Sequence, residues 1–198
     1  MALTWGRKKK GRVRHADPRS RVDALAARRV LRDAYRARRD LAEAFHLGER
    51  ADCRLRWITA ITLLRAVGHA LENIDTRRSS EILAASKAAW DRWRTYRFDH
   101  LIFHEFIKKE RDVLLKEYRF AISAPAGKDM LNDTEANEAD WSSLLLIGDK
   151  TYSAVEAVDA AIAWWETELE RIEIESEDAR HHSTQRAATR GPREDRRA

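Results

Sequence analysis

Apolar residues recur at three- and four-residue intervals in five stretches of the chain, and the polar passages between them mark the ends of the helices they predict. Val22, Leu25, Leu31, Tyr35, Leu41 and Phe45 predict a first helix. Asp17 stands as its N-cap with Pro18 in the first turn, Ser20 is an alternative cap, and Gly48 is placed to end it after Leu47. Trp57, Ile61, Leu64, Gly68 and Leu71 predict a second helix over residues 49–75, and the glycine inside that stripe predicts close approach by another helix. A third begins at Ser79 or Ser80 and passes through Ile82, Leu83, Trp90 and Trp93 towards Asp99.

From Asp99 to Phe120, Ile102, Phe103, Phe106, Ile107, Val113, Leu114, Leu115 and Tyr118 give a helix apolar on more than one side, which belongs in the middle of a bundle. No Pro or Gly separates it from the third, so a bend, a short turn or one long helix all fit. Residues 121–149, with Pro125, Gly127 and an acidic passage, predict a loop that packs one short segment. The last helix is expected from Asp149 to Ile174. Val155, Val158, Ile162, Trp165, Leu169 and Ile172 step by 3, 4, 3, 4 and 3 along it, forming a seam short enough for bundle packing or for a homodimer contact.

With 198 residues, 36% of them charged, and only 7 Gly and 3 Pro, the chain reads as one all-α domain, a bundle of four or five helices over residues 17–175. Disordered basic tails are expected at 1–16 and 176–198. The single cysteine, Cys53, excludes an intrachain disulfide framework and predicts a reducing, cytoplasmic setting. No apolar run approaches the ~18 residues of a membrane span, so no membrane insertion is expected.

Charge changes this picture, because the net +5 is uneven. Residues 1–21 carry eight Lys or Arg against Asp17, a net +7; residues 177–198 carry six Arg against four acids, a net +2; the remainder is 5 − 7 − 2 = −4. The basic residues Arg7, Lys8, Lys9, Lys10, Arg12 and Arg14 are continued on the first helix by Arg28, Arg32, Arg36 and Arg39, spaced by four, four and three. Such a stripe can displace counterions from RNA or DNA without reading sequence. Only Tyr35 interleaves with it, so base stacking has little support.

Candidate chemistry lies in the central stretch, where His100, His104, Arg111 and Tyr118 are spaced by four, seven and seven residues along one helical row. Within it, Arg111-Asp112-Val113-Leu114-Leu115-Lys116-Glu117-Tyr118 resembles the motif of the HEPN domains, helical bundles many of which are metal-independent endoribonucleases. Arg111 and Tyr118 match that pattern, Lys116 stands where the family has histidine, and Asp112 replaces its common asparagine. The resemblance implies an RNA-cleaving site of Arg111, Lys116 and Tyr118, or a catalytically inactive relative. A lysine, with an ordinary pKa of about 10.4, stabilises phosphate charge but is a poor base. Arg65 and His69 form a second Arg and His pair, one turn apart in the seam of the second helix and explained by packing. His100 and His104 have metal-ligand spacing but no second ligand pair tied to them, and no cofactor or metal motif is present. Two function classes follow: a non-enzymatic helical interaction protein whose basic arm holds nucleic acid, and a HEPN-like nuclease or its inactive relative.

Overall fold

A computed structural model of the chain describes residues 25–48, 50–117 and 144–189. The basic arm, the caps Asp17, Pro18 and Ser20, and Tyr118 lie outside them. Among the described residues the protein is an all-α bundle of five helices with one two-stranded hairpin: α1 (Ala26–Leu47), α2 (Arg50–Asn73), α3 (Ser80–Thr95), α4 (Lys109–Glu117), β1 (Leu145–Ile147), β2 (Lys150–Tyr152) and α5 (Ala154–Thr189). Among the described residues no helix is long and apolar enough to cross a membrane.

α1 and α2 form an antiparallel pair joined at Gly48, whose φ of 71° is the left-handed cap that ends α1. Alanines 27, 34, 37 and 44 let α1 lie close to its neighbours, while Tyr35, expected on the apolar side, is 43% exposed. Its hydroxyl bonds to the Glu166 carboxylate, and that bond chiefly pushes the phenol up to about 12. The N-terminus of α1 is capped from a distance: the fully buried carboxylate of Asp75, in the short 3-10 turn Asp75–Arg77, accepts from the backbone N–H of Ala26 at 2.7 Å and of Ala27 at 2.9 Å. α3 begins as its serines predict, Ser79 Oγ accepting from Ile82 N at 3.1 Å.

The central stretch departs from the continuous helix expected for it. It comprises a 3-10 turn at Arg97–His100, a π-helical segment at Ile102–Lys108, and then α4. The wider π turn directs Phe103, Phe106 and Ile107 into the core and sets His104 against the end of α3, where its Nε2 donates to Trp93 O at 2.8 Å. That bond satisfies one of the last carbonyls of α3.

α5 closes the bundle, antiparallel to α1 and α3. Its seam, Val158, Ile162, Trp165, Leu169 and Ile172, is buried within the chain, so it offers no surface for the homodimer contact expected of it. Gly68 works as predicted: a Cβ there would stand 3.2 Å from Trp165 Cη2, and Trp165 Nε1 donates to Leu64 O at 2.9 Å. Around Trp165 the rings of Trp90, Trp93, Trp164, Phe103 and Phe106 complete an aromatic core, Phe103 stacking on Trp164 with centroids 5.1 Å apart. Two boundaries of α5 differ from expectation. It starts at Ala154, after the hairpin, where Ser153 and Glu156 form a reciprocal capping box. It also continues past Ile174 to Thr189, through a run of helix-forming residues free of Gly and Pro, where disorder was expected.

Candidate functional site

α4 presents the candidate residues Arg111 and Lys116 on different sides. Lys116 is exposed and lines a cavity of about 650 Å³ between the π segment, α4 and the hairpin. Four basic side chains, Arg97, Lys108, Lys109 and Lys116, share that wall with the acidic Glu105, Asp112 and Glu117, so the cavity has no single-sign field for phosphate. The hairpin is fixed on this wall by Gly148, whose N–H donates to Glu105 Oε2 at 2.8 Å.

Arg111 does not line the cavity. It is half-buried, donates through Nη1 to Asp112 Oδ1 at 3.0 Å, and faces α2. There it meets the Arg65 and His69 pair. Burial chiefly lowers the Arg65 guanidinium from its ordinary value, and the charge of Arg111 adds to it, outweighing Asp112 and Glu72. Burial also lowers His69, with Arg65 and Arg111 acting in the same direction. Nε and Nη1 of Arg65 are buried with no acceptor, Nη1 lying over the open face of Gly68 beside Trp165. The structure thus sets the Arg65 and Arg111 guanidinium groups within electrostatic reach of each other across α2 and α4, with His69, held towards its neutral form, beside them.

The predicted row of His100, His104 and Arg111 is divided among three neighbours. His100 Nδ1 accepts from Trp164 Nε1 at 3.1 Å, His104 holds Trp93 O, and Arg111 holds Asp112. Tyr118 lies outside the described residues, as do Arg7, Lys8, Lys9, Lys10, Arg12 and Arg14. Of the arginines on α1, Arg28 makes a bidentate pair with Glu173 of α5 at 2.7 and 3.2 Å, Arg36 pairs with Asp33, and Arg39 with Asp40. Arg32 is exposed. Arg38, between them, is bound by both oxygens of Asp159 at 2.6 Å. Both cross-helix pairs raise their guanidinium pKa, the hydrogen bond to the carboxylate being the largest cause.

Among the described residues no group of three or more His, Cys, Asp or Glu is arranged to hold a metal ion. Sequence reading passed over Glu168, 3% exposed, whose Oε2 accepts from Trp93 Nε1 at 2.7 Å. A signal was present: residue 168 lies three after Trp165, inside the buried stripe of α5, where a carboxylate needs a partner. No family model, curated protein or solved structure matches the chain significantly.

Proposed function

We propose that the chain is a non-enzymatic helical interaction protein whose N-terminal arm, residues 1–16, holds RNA or DNA through its phosphates without sequence preference. The observation that carries this reading is the separation of charge. The arginines Arg28, Arg38 and Arg92 of the bundle are engaged by carboxylates of α5, whereas the six cations between Arg7 and Arg14 precede the bundle with no acid among them. The bundle then acts as the body that carries the arm. Fluorescence anisotropy of a labelled oligonucleotide at low salt tests it: binding is expected for the full chain and at least a tenfold loss on deleting residues 1–16. Equal affinity with and without the arm would refute the reading.

The grouping of Arg65, His69 and Arg111 favours a second reading, a HEPN-like metal-independent endoribonuclease or its inactive relative, in which the two arginines contact the RNA backbone and the neutral His69 stands beside them. Lys116, on another wall of α4, then contributes charge rather than proton transfer to the reacting phosphate. RNA cleavage abolished by Arg111→Ala and retained after deletion of the arm supports this second reading; cleavage unchanged in Arg111→Ala sinks its catalytic form.

A further inference from the structure

A separate cavity of about 630 Å³ opens between the end of α3, the 3-10 turn that follows it and the middle of α5. Its wall includes Arg92, Asp99, His100, Trp164, Glu168 and Arg171, and its size is that of a small-molecule site. His100 is 8% exposed, and its tautomer is set by Trp164: the ring accepts at Nδ1, so the proton of the neutral imidazole sits on Nε2. Burial, the largest influence, holds this ring below the ordinary histidine range, which keeps it neutral at pH 7. Its Nε2–H meets no partner among the described residues.

The arginines are also short of acceptors. Glu168 gives Oε2 to Trp93, and the guanidinium groups of Arg92 and Arg171 stand 4.0 and 3.8 Å from its oxygens, beyond hydrogen-bond reach. Glu175 occupies Nη1 of Arg92 at 2.8 Å, while Nε and Nη2 of Arg92 are buried with no acceptor. The Nε2–H of His100 and the Nε and Nη2 of Arg92 are thus left without acceptors, and Arg171 holds its charge towards the cavity with no hydrogen-bonded carboxylate, so an oxyanion there would gain donors. Two carboxylates, Asp99 and Glu168, share the cavity and oppose a second negative charge on the ligand. Trp164, stacked on Phe103 from behind, supplies a rigid apolar side.

We propose that this cavity binds a small monoanionic carboxylate with a planar apolar body, the carboxylate held by Arg171 and the Nε2–H of His100, with the charge of Arg92 behind them and the body against Trp164. This site is independent of the nucleic-acid arm.

The test titrates the full chain with phenylacetate, phenethylamine and phenyl phosphate, following the Trp164 indole and His100 ring N–H resonances by NMR. Phenylacetate is expected to shift both saturably, with a dissociation constant on the order of a millimolar, as suits so small a ligand. Arg171, partly exposed and bonded only at long range, can be replaced without unfolding the bundle. Arg171→Gln is expected to weaken phenylacetate at least tenfold and Arg171→Lys to recover part of the loss. Absence of shifts, equal binding of phenethylamine, or affinity unchanged in a folded Arg171→Gln would overturn the proposal. Tighter binding of phenyl phosphate would overturn the assignment to a monoanion.

Discussion

Asp75 shows how one side chain can join two distant parts of a chain. Its two oxygens satisfy the N–H groups of Ala26 and Ala27, 49 and 48 residues away, and because the carboxylate is fully buried no water can take its place. Asp75→Ala is expected to lower stability by about 2–3 kcal/mol, since it removes a cap and leaves two buried donors unpaired. Asp75→Asn, which keeps one acceptor oxygen, is expected to lose roughly half as much. Urea unfolding followed by tryptophan fluorescence measures both, and an alanine variant as stable as the parent would remove the cap from the account. His100 makes a second residue-scale prediction. Its folded pKa lies below the unfolded value of about 6.5, so the unfolded chain binds the extra proton first and stability falls as pH drops below about 6.5. Protonation would also place a hydrogen on Nδ1 and break the bond from Trp164. His100→Gln is expected to flatten the stability profile below about pH 6.5; an unchanged slope there would show that other groups set it.

At the scale of elements, the hairpin and the start of α5 depend on single positions. Gly148 has φ 63°, and a Cβ there would lie 2.6 Å from Leu101 Cδ1, so Gly148→Ala is expected to cost about 1–2 kcal/mol in the same unfolding measurement. Ser153→Ala, which deletes one half of the capping box, is expected to cost about 1 kcal/mol. These positions also show what the sequence could and could not reveal. Four α-helices, the Ser79 cap and the close approach at Gly68 were legible because apolar spacing, cap chemistry and a missing side chain are local signals. Ser153-x-x-Glu156 was an equally local signal for the start of α5. The π segment was not legible, because Phe103, Phe106 and Ile107 share a face in an α-helix as well; the bond of His104 to Trp93 that accompanies the wider turn depends on tertiary packing, which spacing does not show. For the same reason the spacing of Arg111 from Lys116 suggested one site, whereas α4 turns Arg111 to α2 and Lys116 to the hairpin side. Arg65, explained from its spacing as packing, acquired its electrostatic partner only through the placement of α4 beside α2.

Over the whole molecule, α5 is an acidic strut between two basic helices. Glu173 and Asp159 hold Arg28 and Arg38 of α1, and Glu175 holds Arg92 of α3, so these arginines serve the fold and have little charge left for a polyanion. This division makes the salt dependence of nucleic-acid binding diagnostic. If the six cations from Arg7 to Arg14 all engage phosphates, the logarithm of the binding constant should fall against the logarithm of salt with a slope of about −4 for a single strand and about −5 for a duplex. Replacing Arg7, Lys8 and Lys9 by Gln should roughly halve that slope. Arg38→Gln should lower stability, because it leaves Asp159 without its bidentate partner, and leave the slope unchanged. Should Arg38→Gln reduce the slope as much as a substitution in the arm, the phosphates would be contacting the bundle itself and the separation of arm from body would be wrong. A slope lowered chiefly by Arg65→Gln or Arg111→Gln would instead place the polyanion on the α2–α4 face, where those cations face each other.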